Sequence, residues 1–432
     1  MNKIGHFFHH QTRTLSSIAK YISPLDFKPK KALIVTKVSR YEFERSKLSE
    51  LSESEFENLL TKRGSDYTMV KYHHNIHKSA EEKIIHALEA RGVETKKCQR
   101  NGYTNELIDW ADIIFTTGGD GTFLLGASKV RRPDKPVVGI NTDPTRSEGY
   151  LCLPKHFSFT LDHAIEELMT GNFRWFLRRR LRITLIGDAD KINKNPVELH
   201  NQELVYPEYR YVDFLQEKSV TAGDHPLKPG ENKTREKELA ERVLPVLALN
   251  EVFLGENLSS RVSNLEIKSD NNPVIKTRNS GLCISTGTGS TSRIFNISKL
   301  TNQSVETILK FVFETTRFPI NFKDQKMVEA ITQRFNNELV IDPELNLMCY
   351  TLRDPVFAGI FPTAVEKKTR GKARRMDIKS KCFDACLVID GSLSYKFNDG
   401  TRAIVSIHDE DVLRTVHMYS SDQGLDSPCS DI

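Results

Sequence analysis

The chain has 432 residues, with 62 Lys and Arg against 57 Asp and Glu for a formal net charge of +5, and 38% hydrophobic against 28% charged residues. Six basic side chains and one acid fall within residues 1 to 31, so the whole surplus sits there and the rest of the chain is neutral, which gives no argument for a nucleic-acid footprint over the whole surface. The longest apolar runs, such as 113 to 115 and 246 to 249, fall far short of the roughly 20 residues of a membrane-spanning helix.

Residues 1 to 30 have the composition of a mitochondrial transit peptide. The first 25 contain no acid and are rich in Ser, Thr, His and isolated basic residues. On a helical wheel Leu15, Ile18 and Ile22 share one side, and Arg13 and Lys20 the other. No apolar core of a secretory signal is present. The alternative is a disordered basic tail. Seven cysteines, at 98, 152, 283, 349, 382, 386 and 429, form neither a disulfide framework nor a zinc ligand set and point to a reducing compartment.

After Lys31 the pattern is that of an α/β domain spanning 31 to 180. Residues 32 to 35 read as a buried strand and 79 to 91 as a helix stopped by Gly92. Residues 112 to 117 read as a strand, 122 to 130 as a helix and 136 to 140 as a third strand. This alternation predicts a parallel sheet. A helix over 161 to 170, closed by Gly171, and a strand over 173 to 186 follow. From 181 to 415 the texture changes to short strands around Ile183, Val252, Ile267, Ile284, Leu339, Val388 and Val405, with one clear helix near 303 to 315. The stretch 187 to 245, with five prolines and the charged run 231 to 242, reads as a polar insertion. Residues 367 to 381, with eight basic side chains and one acid, read as a solvated loop or as an anion contact. Residues 416 to 432 read as a tail.

The chemistry is concentrated in Thr116, Thr117, Gly118, Gly119, Asp120, Gly121 and Thr122, which follow an apolar strand and precede a helix. The carboxyl end of a parallel strand is where open α/β sheets bind ligands. Glycines there allow a backbone to approach a phosphate, and the helix N-terminus favours an anion. A carboxylate in such a loop is out of place for phosphate binding alone, so Asp120 is expected to accept a proton or hold a cation. The plain alternative is an Asp that caps the next helix. Neither the Gly-x-x-x-x-Gly-Lys-Ser/Thr nor the Gly-x-Gly-x-x-Gly phosphate loop is present. A second polar cluster comprises Asn250 and Glu251, then Arg278 to residue 281, then Ser285, Thr286, Gly287, Thr288, Gly289, Ser290 and Thr291. Its density of small hydrogen-bonding groups suits a nucleotide, although such runs are also ordinary loops.

In this order the Gly-Gly-Asp-Gly-Thr run, then Gly139, Ile140 and Asn141, then Asn250 and Glu251, then Thr286 to residue 290, then Asp390 and Gly391, resemble the NAD kinases over about residues 32 to 415. Residues 139 to 152 are similar to the mitochondrial branch of that family. The resemblance implies an N-terminal Rossmann-like α/β domain, a C-terminal β-sandwich and an active site between them. It implies transfer of a phosphoryl group from ATP, with Mg²⁺, to the adenosine ribose 2′-hydroxyl of NAD, in the mitochondrial matrix, by a homo-oligomer, expected as a homodimer. Asp120 would be the general base, and Gly118, Gly119 and Gly121 would cradle the donor phosphates. Asn250 and Glu251 would bind the dinucleotide, and Gly289, Ser290, Thr291 and Ser292 would line its pocket. Thr122, Asn141, Arg278 and Thr288 complete the candidate binding set. No side-chain metal ligand is expected, because Mg²⁺ would be held mainly by nucleotide phosphates.

Three residues depart from the family pattern. Gly287 stands where Pro is common, Arg293 where an aromatic is common and Ser280 where an acid is common. Two other readings remain open on sequence: a diacylglycerol or sphingoid lipid kinase of the same superfamily, which would need an apolar acceptor cleft, and an inactive NAD-binding sensor, which would be expected to have lost Asp120.

Overall fold

The computed structural model describes residues 23 to 189, 192, 195 to 199, 239 to 356 and 368 to 418. The expected leader up to residue 22 and most of the 187 to 245 insertion lie outside the described residues.

Strand β1 (Lys31–Thr36) leads through α1 (Arg40–Lys47), α2 (Glu53–Lys62) and α3 (Tyr67–Glu89) to β2 (Glu94–Cys98). Then come α4 (Asn105–Trp110), β3 (Ile113–Thr117), α5 (Asp120–Ser128), β4 (Val137–Ile140) and α6 (Leu161–Thr170). The four strands pair in parallel in the order β2-β1-β3-β4. β3 and β4 are buried along their whole length, because helices cover both faces of the sheet. Residues of α3 and α6 pack with Ala32, Ile34 and Phe115 on one face, and residues of α4 and α5 with Leu33, Val35 and Ile114 on the other. The chain runs outward from β1 to β2 and from β3 to β4 in opposite directions, so the crevice beyond the carboxyl ends of β1 and β3 is the topological switch point of the sheet.

The expected helix at 79 to 91 begins earlier, at Tyr67. Its first turns carry Tyr72, His73, His74 and Asn75, whose polarity hides the helical period. Gly92, at φ +77°, ends it as expected. Of the short helices, α1 has little apolar periodicity and α2 has only Phe56 and Leu60 buried at helical spacing, and each opens with a capping box, Ser39 with Glu42 and Ser52 with Glu55. β2 reads Glu-Thr-Lys-Lys-Cys, which alternation of hydrophobicity could not reveal at a half-exposed edge.

The single strand expected over 173 to 186 is instead two. β5 (Phe173–Arg178) and β6 (Leu181–Asp188) are separated at Arg179 and Arg180 and belong to different sheets. Beyond β6 come β7 (Val197–Glu198), β8 (Leu239–Val243), β9 (Glu251–Glu256), β10 (Ser263–Ser269), β11 (Ile275–Asn279) and β12 (Gly281–Ser285). Helices α7 (Arg293–Ser298), α8 (Asn302–Thr316) and α9 (Gln325–Asn337) follow, then β13 (Met348–Arg353), β14 (Arg370–Ala373), β15 (Arg375–Ser380), β16 (Ala385–Ile389), β17 (Leu393–Lys396), β18 (Arg402–Ile407) and β19 (Leu413–Met418). The sheets β11-β10-β15-β18-β6-β8 and β14-β13-β12-β9-β16-β17-β7 are antiparallel. Ile183, Ile267, Ile378 and Val405 of the first share one core with Val252, Ile284, Leu352 and Leu387 of the second, so the two form a β-sandwich.

The helix near 303 to 315 is α8. Leu339 lies past the end of α9 and not in a strand. From Arg370 onward the basic segment is not a loop but β14 and β15, because Met376 and Ile378 alternate with charged residues and point into the core. β19 leaves the sandwich and pairs antiparallel with β5, Leu413 opposite Arg178 and Met418 opposite Phe173. Val416 and Met418, placed in the expected tail, are thus part of a strand.

Candidate functional site

The glycine loop lies at the carboxyl end of β3, at the switch point. Gly119 is the N-cap of α5 and gives no side-chain hydrogen bond, so the amides of the first turn are not occupied by a cap. The carboxylate of Asp120 does not cap α5. It accepts the N–H of Leu151 at 2.8 Å and that of Tyr150 at 3.2 Å, which fixes its direction and ties the 141 to 151 loop to the glycine loop. A Cβ on Gly118 would lie 2.3 Å from Thr122 Oγ1, and one on Gly119 2.8 Å from Ser147 Oγ, whereas one on Gly121 would meet nothing within 4 Å. Two of the glycines are therefore required by the fold of the loop itself, and the third faces open space.

Asn141 is buried, and its amide is used within its own loop: Nδ2 donates to the Ser147 carbonyl at 2.8 Å and Oδ1 accepts the Asp143 N–H at 3.1 Å. Lys37, just beyond β1, stands beside the glycine loop, its Cβ 3.3 Å from the position of a Gly118 Cβ. Burial holds its pKa below the usual lysine value, with Asp143 pulling upward.

Asn250 and Glu251 reach this crevice because Leu249 packs into the α/β core beside Leu33 and Val35. The backbone there is held from beneath by Asp390, whose carboxylate accepts three N–H groups: Leu249 at 2.8 Å, Asn250 at 2.8 Å and Glu251 at 3.0 Å. Asp390 adopts φ +47°, and burial pushes its carboxyl up to about 7 against the pull of those donors. Two of the acceptors of this pair are left over. Asn250 Oδ1 and Glu251 Oε2 are buried and have no partner among the described residues, while Glu251 Oε1 takes the Arg293 Nε at 3.2 Å. Burial raises the Glu251 carboxyl and Arg293 opposes it. Buried acceptors without donors are costly, and they are suited to the N–H or O–H groups of a ligand.

The hydroxyl and glycine run folds onto the same backbone. Ser285 Oγ donates to the Asn250 carbonyl at 3.0 Å, and the Gly289 N–H donates to Thr286 Oγ1 at 3.2 Å. A Cβ on Gly289 would lie 2.3 Å from the Asn250 carbonyl oxygen. Ser290 is turned inward, donating to the Gly287 carbonyl at 2.7 Å, whereas Thr291 and Ser292 are half-buried. Thr288 Oγ1 accepts Arg178 Nη1 at 3.3 Å. Arg178, the last residue of β5, is in turn acted on by the charge of Asp120, so it links the two halves of the crevice. Cys152 also feels Asp120, and burial together with that charge pushes its thiol up to about 12.

Asp120 and Gly121 stand at the carboxyl end of β3, and Asn250, Glu251 and Thr288 belong to one hydrogen-bonded loop cluster, the two being joined by Arg178 and by the packing of Leu249 on the α/β core. Arg278 is not among them. It is exposed on the edge strand β11, opposite Asn264 and bridged to Val356. Arg178, Lys37 and the supporting role of Asp390 were missed in the sequence. The signal for the first was three consecutive arginines closing an aromatic strand. No group of three or more His, Cys, Asp or Glu side chains is arranged for a metal among the described residues, and no described helix is long and apolar enough to cross a membrane.

The sequence resembles known proteins as follows. Residues 31–169 match the model of the ATP-NAD kinase N-terminal domain. The chain is 38% identical over 400 residues to a Rattus norvegicus protein named NAD kinase 2, mitochondrial, covering 91% of this chain and 89% of that one. It is 39% identical over 394 residues to the Homo sapiens protein of the same name, covering 90% and 84%. A solved NAD kinase from Archaeoglobus fulgidus in complex with ATP aligns over 90% of this chain and 94% of its own, at 17% identity and a TM-score of 0.45.

Proposed function

The chain belongs to the NAD kinase family, and from that premise we propose that it phosphorylates the adenosine ribose 2′-hydroxyl of NAD⁺ with ATP, making NADP⁺ in mitochondria. The observation that carries this reading is the pairing, across one crevice, of a carboxylate with two buried, donorless acceptors. Asp120 stands at a helix N-terminus fit for phosphates, and Asn250 Oδ1 with Glu251 Oε2 stands ready for the polar edge of a nucleoside.

In this mechanism Asn250 and Glu251 orient the ribose and base while the open face at Gly121 and the α5 amides receive the donor phosphates. The 2′-oxygen attacks the γ-phosphorus, its proton passes to Asp120, and the bond to the bridging oxygen breaks with its electron pair leaving on ADP. The two backbone N–H groups on Asp120 hold its carboxylate in one orientation, and each oxygen keeps a lone pair to take the proton. Mg²⁺ bound to the triphosphate would spread the phosphate charge, and in this reading it is held mainly by the nucleotide. Matrix residence and a homodimer belong to the same reading; sedimentation of the purified chain tests the second.

The test is NADP⁺ formation by protein beginning at Ser23, given NAD⁺, ATP and Mg²⁺, beside Asp120→Asn. The variant should bind NAD⁺ and lose about 10²- to 10⁴-fold in kcat, the usual weight of a general base. Turnover near the wild-type rate would remove Asp120 from that role, and no NADP⁺ from the wild-type chain would remove the reaction.

A further inference from the structure

We propose that Arg178 binds the transferring phosphoryl group, holding it between Asp120 and the Thr288 loop; the assignment rests on the kinase reading above and adds a residue to it. The argument begins with three neighbouring arginines that the fold treats differently. Arg179 donates from Nε to the Glu344 carbonyl at 3.0 Å and from Nη1 to Asp409 Oδ1 at 2.5 Å. Arg180 donates to the Asp411 carbonyl at 2.6 Å, to the Val412 carbonyl at 3.3 Å and to the Val130 carbonyl. Both are buried and used as ties. Arg178 has five N–H donors like its neighbours, yet its one hydrogen bond among the described residues is from Nη1 to Thr288 at 3.3 Å. Its Nε is buried and has no acceptor there.

The guanidinium is nevertheless held in place. It lies over the Phe176 ring at 4.7 Å, and its strand is paired along its length with β19. A fixed, desolvated cation with donors to spare, close enough to Asp120 to feel its charge, is what a phosphoryl transfer requires. As the 2′-oxygen bonds to phosphorus and the bridging oxygen departs with its electron pair on ADP, charge is spread over the equatorial phosphoryl oxygens. The planar guanidinium fork can meet two of them at once, which an ammonium cannot. The bond to Thr288 places this cation where the donor and acceptor halves of the crevice meet.

The experiment compares wild type, Arg178→Lys and Arg178→Gln in protein beginning at Ser23. It measures kcat, KM for ATP and NAD⁺, melting temperature, and the binding of ADP with aluminium fluoride, a phosphoryl mimic, in the presence of NAD⁺ and Mg²⁺. Both variants should lose roughly 10²-fold in kcat, the usual effect of removing one preorganised charge stabiliser, with NAD⁺ affinity and melting temperature near wild type and the tightening by aluminium fluoride abolished. The lysine variant tests the fork rather than the charge and keeps the comparison valid if the glutamine variant folds poorly. Turnover within a few-fold of wild type in Arg178→Lys would overturn the proposal, as would loss of NAD⁺ affinity and melting temperature in step with kcat. Should the wild-type chain form no NADP⁺, the kinase reading fails by itself. The assignment of Arg178 then rests on inorganic triphosphate: weaker binding by Arg178→Gln supports it, and equal binding overturns it.

Discussion

Asp390 shows how a residue remote from the reacting atoms can set the site. One carboxylate holds three successive amides, and with them the directions of Asn250 and Glu251. Its pKa, raised by burial to about 7, has a consequence with a definite sign. The folded value lies above the unfolded value of about 4, so between those values the fold retains a proton that the unfolded chain releases. That contribution to stability is complete below about pH 4 and is lost as pH rises to about 7. Asp390→Asn cannot titrate, so its melting temperature relative to wild type should climb between about pH 4 and pH 7 and level off above; a constant difference would show that the carboxyl does not titrate there. The sequence made Asp390 visible only as part of a dipeptide. Its three partners lie about 140 residues away, and no local pattern reports them. The glycine run around Asp120 was legible because its flanking strand and helix are local. The inward turn of Asn141 was not, since whether an amide serves its own loop or a ligand depends on the folded loop.

At the scale of elements, legibility followed the apolar signal. β1, β3 and β4 are short apolar runs and α6 and α8 have clear apolar periods, and they lie where the pattern put them, whereas α1 and β2 are polar and α2 is only ten residues long. The division of 173 to 186 into β5 and β6 was hidden for another reason. Apolar alternation continues through both, and only the arginines between them mark the change of sheet. The same scale accounts for Gly287. Its backbone, at φ −59° and ψ −37°, suits proline, but a Cβ would lie 2.4 Å from the Asp342 carbonyl oxygen. In this chain the segment returning from α9 lies against the loop and leaves room for glycine alone. Gly287→Ala should therefore cost about 1 to 3 kcal/mol, as overpacked sites do, and should weaken NAD⁺ binding by shifting Thr288. Urea unfolding and calorimetry would measure both, and an unchanged midpoint would show that residues 342 and 343 yield freely.

At the scale of the whole molecule, residues 24 to 28, inside the expected leader, pack against the α/β half. Phe27 meets Trp175 edge-on at 5.1 Å, Lys28 Nζ donates to the Met169 carbonyl at 2.7 Å, and Gly171 packs against the backbone of Pro24 and Leu25. A chain cut at Lys31 would lose these contacts, and one beginning at Ser23 would keep them. Protein beginning at Lys31 should melt lower than protein beginning at Ser23, by an amount corresponding to roughly 1 to 3 kcal/mol for one uncovered aromatic contact; equal melting temperatures would show that these contacts add nothing. The pairing of β5 with β19 has a further consequence. The chain leaves the α/β half through β5 and returns to it through β19, with Arg180 bonded to Val130 on one side and to Asp411 and Val412 on the other. The halves are thus stitched twice along a single seam. A protease cutting one crossing would leave them joined by the other, and opening of the crevice would be a swing about that seam rather than a separation.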